Sequence, residues 1–159
     1  MNFHGITKAS FVDGEGIRTV LWVAGCSHHC SECHNSYTWN PDGGVLFDSK
    51  AAEYLIHCLE KPYIDGLTLS GGDPMYLANR QTVTFIAEHV KKITHKSIWM
   101  YTGYLWEQIK DEPIMKHLDV VVDGEFKKEL ASAKYVGSNN QRVIDVQKSL
   151  QTEEIVLWG

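Results

Sequence analysis

Apolar positions along the chain fall into short runs separated by glycine, proline and polar clusters. Residues 19–24 form a continuous apolar run, β-branched and aromatic, ended by Gly25, which predicts a strand buried on both faces. Residues 67–70, 97–101 and 119–123 read as further strands, the first running into Gly71 and the second broken by Gly103. Between them the period changes. Ala52, Leu55, Ile56 and Leu59 fall at helical spacing behind Ser49 as a cap, with Pro62 as the stop. Val83, Ile86, Ala87 and Val90 mark one face of a second helix, and a short helix is expected around 104–110. Residues 142–146 read as another strand and 155–158 as a last edge strand. Residues 1–11 carry only scattered apolar positions, and 26–44, with Pro41, Asp42, Gly43 and Gly44, read as loop.

Strands alternating with helices predict an α/β fold, a parallel sheet with right-handed crossovers. Ligands of such sheets sit beyond the carboxyl ends of the strands. The loops after the first three strands, 26–33, 71–74 and 102–104, would therefore gather on one edge.

Composition narrows the function classes. A length of 159 residues suits a single domain with its own core. Fifteen Lys and Arg against twenty Asp and Glu give a net charge of -5, which excludes broad nucleic-acid affinity through a basic surface. The chain has no apolar run of about 18 residues and no signal-peptide apolar core near Met1, so a cytoplasmic location without membrane attachment is expected.

Three of the four cysteines, Cys26, Cys30 and Cys33, crowd into one polar loop; Cys58, beside Ile56 and Leu59, reads as a small core residue. A cytosolic chain with this spacing is a poor disulfide framework. Polar neighbours offer no apolar core for three buried thiols, so a cation is the natural partner. Zinc structural sites take four ligands, for which His28, His29 or His34 would have to complete the set. A [4Fe-4S] cube normally takes four cysteines, so three would leave one iron without a protein ligand. An open metal position is a feature of catalytic sites.

The spacing Cys26-x3-Cys30-x2-Cys33 resembles the cluster loop of radical S-adenosylmethionine enzymes. Val12-Asp13-Gly14-Glu15-Gly16-Ile17-Arg18, Gly25-Cys26, Cys33-His34-Asn35 and Thr38-Trp39 look like the glycyl-radical activase group. Gly71-Gly72-Asp73-Pro74 resembles that superfamily's glycine-rich motif for the methionine amino group. The stretches 99–104 and 137–145 are similar to the anaerobic ribonucleoside-triphosphate reductase activating proteins, and the likeness runs from Phe3 to about Trp158. Two positions depart from the wider pattern: Glu32 stands where an aromatic residue often precedes the third cysteine, and Asp73 where glutamate is usual.

The resemblance implies that Cys26, Cys30 and Cys33 bind three irons of a [4Fe-4S] cluster. The fourth would be chelated by the amino and carboxylate groups of S-adenosylmethionine. Reductive cleavage would give methionine and a 5′-deoxyadenosyl radical, which would take hydrogen from a glycine of the reductase large subunit. Glu32, Cys33, His34, Gly71, Gly72, Asp73, Thr102 and Asp123 are the cofactor-binding candidates, with Asp73 offering its carboxylate to the ammonium. No residue beyond cluster and cofactor is assigned a catalytic part. Alone, Gly71 to Pro74 would read as a strand-to-helix turn, and Asp123-Gly124 as a simple turn. His28 and His29 read as solvated loop residues, Trp22 and Trp99 as core, and Arg18 as one half of a surface ion pair.

The chain lacks a glycine in the Arg-Val-x-Gly-Tyr context of glycyl-radical proteins, so the target glycine belongs to a partner. Tyr37, Trp39 and Tyr104 are candidates for the docking rim. An electron donor such as a flavodoxin and a possible homodimer within a larger complex complete the expected partners. Competing functions are a radical enzyme on a small molecule, of the deazaguanine ring-forming kind, and a non-catalytic metal-binding module. A full eight-fold β/α barrel needs about 250 residues. The chain is therefore expected to fold, over 1–159, as a single-domain partial (open) parallel β/α barrel of radical SAM type, its open side covered by the large partner.

Overall fold

The computed structural model describes residues 1–130 and 135–159. In chain order the elements are β1 (Asn2–Ser10), β2 (Arg18–Val23), β3 (Val45–Leu46), α1 (Ser49–Leu59), β4 (Gly66–Gly71), α2 (Arg80–Thr94), β5 (Ser97–Tyr101), α3 (Trp106–Ile109), β6 (Val120–Asp123), β7 (Arg142–Asp145) and α4 (Val146–Thr152). One seven-stranded sheet has the order β3-β1-β2-β4-β5-β6-β7. The four strands β2, β4, β5 and β6 are parallel, as the alternation of elements predicts. Both flanks are antiparallel: β1 on β2, β3 on β1, and β7 on β6. The sheet is thus mixed rather than wholly parallel.

The central strands read as continuous apolar runs because both their faces are covered. Leu21, Val23, Leu67, Leu69, Ile98 and Met100 pack with Leu55 and Leu59 of α1 and with Val83, Ile86, Ala87 and Val90 of α2. Each of these side chains except the small Ala87 contributes roughly 1.5–3 kcal/mol on full burial. On the opposite face Trp99, Val120 and Val122 form a second cluster with Tyr101, Tyr135, Val136 and Val143.

Several local expectations are corrected. β1 was hidden because its register shifts between Phe3 and Gly5, and again between Thr7 and Ser10, break the two-residue period. Helix α1 begins at Ser49, but its cap is Asp48, whose carboxylate accepts from the Ala51 N–H at 2.9 Å. Val146 opens α4 rather than ending β7, with Asp145 accepting from the Lys148 N–H. Residues 155–158 form one bridge, Leu157 to Ile144, and no strand.

Arg18 is not at the surface. It is 1% exposed and none of its nitrogens has a carboxylate within ion-pair reach among the described residues. Nε donates to Thr68 Oγ1 at 2.8 Å, Nη1 to Glu15 O and Ser97 Oγ, and Nη2 to Leu67 O at 2.7 Å and Ser97 O at 3.0 Å. The guanidinium also lies 5.5 Å from the Trp99 ring centroid. Burial pulls its pKa down to about 10, which leaves it a cation at neutral pH. It clamps the amino-terminal ends of β2, β4 and β5, which the register aligns as Arg18, Gly66 and Ser97.

Candidate functional site

At the other end of those strands the register sets Val23 beside Gly71 and Tyr101 beside Val122, so the loops that follow meet on one edge. Between them lies a cavity of about 170 Å³ lined by the three cysteines, His34, the Gly71-Gly72-Asp73 turn and Thr102. These expected site residues come together from three separate loops.

Backbone contacts build the edge. The Gly25 N–H donates to Thr38 O at 2.7 Å and the Cys26 N–H to Trp39 O at 3.1 Å, so residues 36–39 fold back on the start of the cysteine loop. The Gly72 N–H donates to Val23 O and the Asp73 N–H to Gly25 O, joining the glycine turn to the cysteine loop. Gly71 has φ +111°, and a Cβ there would fall 2.5 Å from the Val23 nitrogen. A Cβ on Gly72 would strike the Gly25 carbonyl and stand 2.9 Å from Thr38 O. The glycines are required by the close approach of one loop to another.

Asp73 is 1% exposed. Its Oδ1 accepts from the Met75 N–H and the Thr102 hydroxyl, both at 2.8 Å, and its Oδ2 from the Gly103 N–H at 2.9 Å. The carboxylate thus pins the loop after β4 to the loop after β5.

His28, expected in solvent, is instead a member of the site. Its Nε2 lies 2.9 Å from Asp73 Oδ2 and its Nδ1 3.0 Å from Glu125 Oε1. The Nδ1 contact has hydrogen-bond geometry; the Nε2 contact is close but misdirected, leaving Nε2 buried without an aligned partner among the described residues. The close carboxylate of Asp73, and after it that of Glu125, raises the His28 pKa against the opposing effect of burial. The ring packs edge-on against Tyr104 with centroids 4.6 Å apart. It fits only because residue 103 is glycine: a Cβ there would lie 2.6 Å from the ring. The clue in the sequence was a histidine midway between two cysteines, but its partners stand 45 and 97 residues away.

Two candidates lie apart from the cavity. Glu32 has φ +54° and turns its half-exposed side chain to Lys128 Nζ at 2.6 Å. Asp123 is fully buried at the end of β6, where it accepts from the Trp106 N–H at 2.7 Å and pairs with Arg142. Arg142 also holds Glu107, so this carboxylate is neutralised within the fold. His29 stacks on Trp39 at 4.4 Å, while Tyr37 is largely exposed and leans edge-on against His4.

The donor set suits an iron–sulfur cluster. All three loop cysteines are free thiols. Burial pushes Cys26 up to about 11 and also raises Cys30, so a cation is needed to hold the loop as thiolates. Among the described residues no three His, Cys, Asp or Glu side chains converge tightly enough for a single metal ion. A cluster takes each thiolate at a different iron and does not require that convergence. Cys58 is buried beside Leu55 and Leu59 in α1, as its apolar neighbours predict.

Comparison with known proteins agrees with this chemistry. Residues 12–144 match the family described as a 4Fe-4S single cluster domain. The chain is 43% identical over 145 residues to the anaerobic ribonucleoside-triphosphate reductase-activating protein of Enterobacteria phage T4, spanning 90% of this chain and 93% of that protein. It is 36% identical over 148 residues to the Haemophilus influenzae protein of the same name, covering 89% and 96% of the two chains. With that of Escherichia coli K12 it shares 31% over 150 residues, covering 90% and 97%. The chain therefore belongs to the family of anaerobic ribonucleoside-triphosphate reductase-activating proteins.

Proposed function

We infer that the protein activates the large subunit of an anaerobic ribonucleotide reductase by generating a glycyl radical on it. The reading rests on one observation: in a chain of this family, the three cysteines of one loop line the same strand-end cavity as the glycine turn and Asp73. Cys26, Cys30 and Cys33 would hold a [4Fe-4S] cluster through three thiolates. When bound, the cluster and S-adenosylmethionine supply one-electron reductive cleavage of a carbon–sulfur bond, and so a primary carbon radical able to take hydrogen from glycine. The residues of this chain bind, orient and shield. Asp73 is the one carboxylate among the described residues lining the cavity and sets a buried negative charge for the ligand's ammonium. Residues 36–39, folded over the cysteine loop, cover it from one side.

The parallel strands β2, β4, β5 and β6 are read as the staves of a partial barrel of the radical SAM type, in a single domain over 1–159. The reductase large subunit would cover the open side. A flavodoxin-like donor for the electron, a cytoplasmic setting and a homodimer within the complex belong to the same reading; among the described residues no helix is long and apolar enough to cross a membrane.

The test is anaerobic reconstitution with iron and sulfide, then incubation with reductant, S-adenosylmethionine and the reductase large subunit. Electron paramagnetic resonance should show a glycyl doublet, and Cys30→Ala should abolish it. A colourless protein holding one zinc, or a doublet that survives Cys30→Ala, would refute the reading.

A further inference from the structure

The seat of His28 raises a question of capacity. An ionised carboxylate offers about four lone-pair sites. On Asp73 the Met75 and Gly103 N–H groups and the Thr102 hydroxyl take three of them, and His28 Nε2 stands against the fourth. The first three donors are fixed by the chain or by a buried side chain. The His28 contact is the misdirected one, and the imidazole keeps a second, aligned partner in Glu125, whose side chain is 54% exposed.

Space leads to the same residue. The cavity beside the cysteines measures about 170 Å³, below the roughly 300–1,000 Å³ of sites that hold an organic ligand. A second cavity of about 520 Å³ opens beyond, between Tyr104, Gln108, Glu125 and Lys127. His28, Gly103 and Gly124 line both. Of these only His28 has a side chain, so its ring is the movable part of the partition.

We propose that His28 is a resident placeholder on Asp73: the ammonium of the incoming ligand displaces it, and the imidazole pivots on Glu125 to join the two cavities. The proposal rests on the reading that S-adenosylmethionine is the ligand of this site. It makes His28 an autoinhibitory contact that sets affinity, and it assigns Gly103 the part of leaving room for the ring.

The test is equilibrium dialysis of S-adenosylmethionine against the anaerobically reconstituted protein, in wild type, His28→Ala and His28→Asn. Removing the placeholder should tighten binding about fivefold, short of the full scale of a hydrogen bond to a charged group because the contact is misdirected. His28→Asn, too short to hold the same contact, should shift in the same direction and guards against misfolding of the alanine variant. 5′-Methylthioadenosine, which lacks the amino-acid end, shares the gain in space but not the contact with Asp73, so its binding should tighten less than that of S-adenosylmethionine in both variants. Unchanged or weaker binding of S-adenosylmethionine by both variants overturns the proposal, as does an equal gain for methylthioadenosine. Absence of binding to wild type, with no glycyl doublet, would instead defeat the reading of the ligand itself.

Discussion

Arg18→Met isolates the clamp at the amino-terminal end of the sheet. Methionine keeps the length of the side chain and its apolar stem but removes five N–H donors. The bonds to Thr68 Oγ1 and Leu67 O are wholly buried; those to Glu15 O, Ser97 Oγ and Ser97 O are partly so. Thr68 keeps its own bond to Asp13 O, so the larger loss falls on the Leu67 and Ser97 carbonyls. A buried acceptor deprived of its donor costs about 1–3 kcal/mol, while removing a buried charge returns part of its desolvation cost. The net expected loss is about 3 kcal/mol. In urea, with a slope of roughly 2 kcal/mol/M, the unfolding midpoint followed by circular dichroism should fall by about 1.5 M. Arg18 lies at the opposite ends of the strands from the cysteines, so the iron bound per folded molecule should not change. A stability loss below about 1 kcal/mol, or lost cluster binding at unchanged stability, would refute the assignment of Arg18 to the fold.

Three further outcomes are expected. Gly72→Ala places a methyl group between two carbonyls of neighbouring loops, so it should cost about 1–3 kcal/mol and lower the iron retained after reconstitution, read by iron assay. Thr102→Val removes the hydroxyl that donates to both oxygens of Asp73 and should cost about 1–2 kcal/mol in denaturant titration, largely restored by Thr102→Ser. The hydrogen bond from Arg142 draws the Glu107 carboxyl below its ordinary range, so this pair stabilises the fold above that range and the contribution is lost as pH falls through the lowered folded-state pKa. Because Glu107 is more than half exposed, Glu107→Gln should cost only about 0.5 kcal/mol at neutral pH, with the difference vanishing in acid or high salt.

The elements that could be read from sequence were those whose own pattern carries the structure. β2, β4, β5 and β6 are covered on both faces, and a continuous apolar run is the direct imprint of that burial. The cysteine loop and the glycine turn were equally legible because spacing alone marks them. β1 was not, since two register shifts scramble its alternation and Gly5 interrupts its side chains. α4 was lost because Val143, Ile144 and Val146 make one apolar run that crosses a boundary set by the Asp145 cap. Arg18 and His28 escaped for a different reason. A charged residue beside a glycine-rich loop and a histidine in a polar loop both look solvated until distant strands supply carbonyls or carboxylates. Asp123 shows the converse: its place after β6 suggested a ligand-facing carboxylate, but Arg142, nineteen residues away, takes it into the fold.

The two ends of the parallel strands divide the work. At the amino-terminal end a single guanidinium satisfies every one of its donors on neutral groups of two strands and a loop, an arrangement with nothing left over for a ligand. At the carboxyl-terminal end the polar groups are incompletely served. Cys26 and Cys30 are thiols that burial disfavours as thiolates, and the His28 Nε2 is buried without an aligned acceptor among the described residues. Unsatisfied buried groups are costly, and a fold tolerates them where something else completes them. The tightness of the Arg18 clamp holds the sheet together independently of that edge. The cysteine loop, the Asp73 carboxylate and the His28 ring can then rearrange around a cluster and a charged ligand while the strands that position them stay fixed.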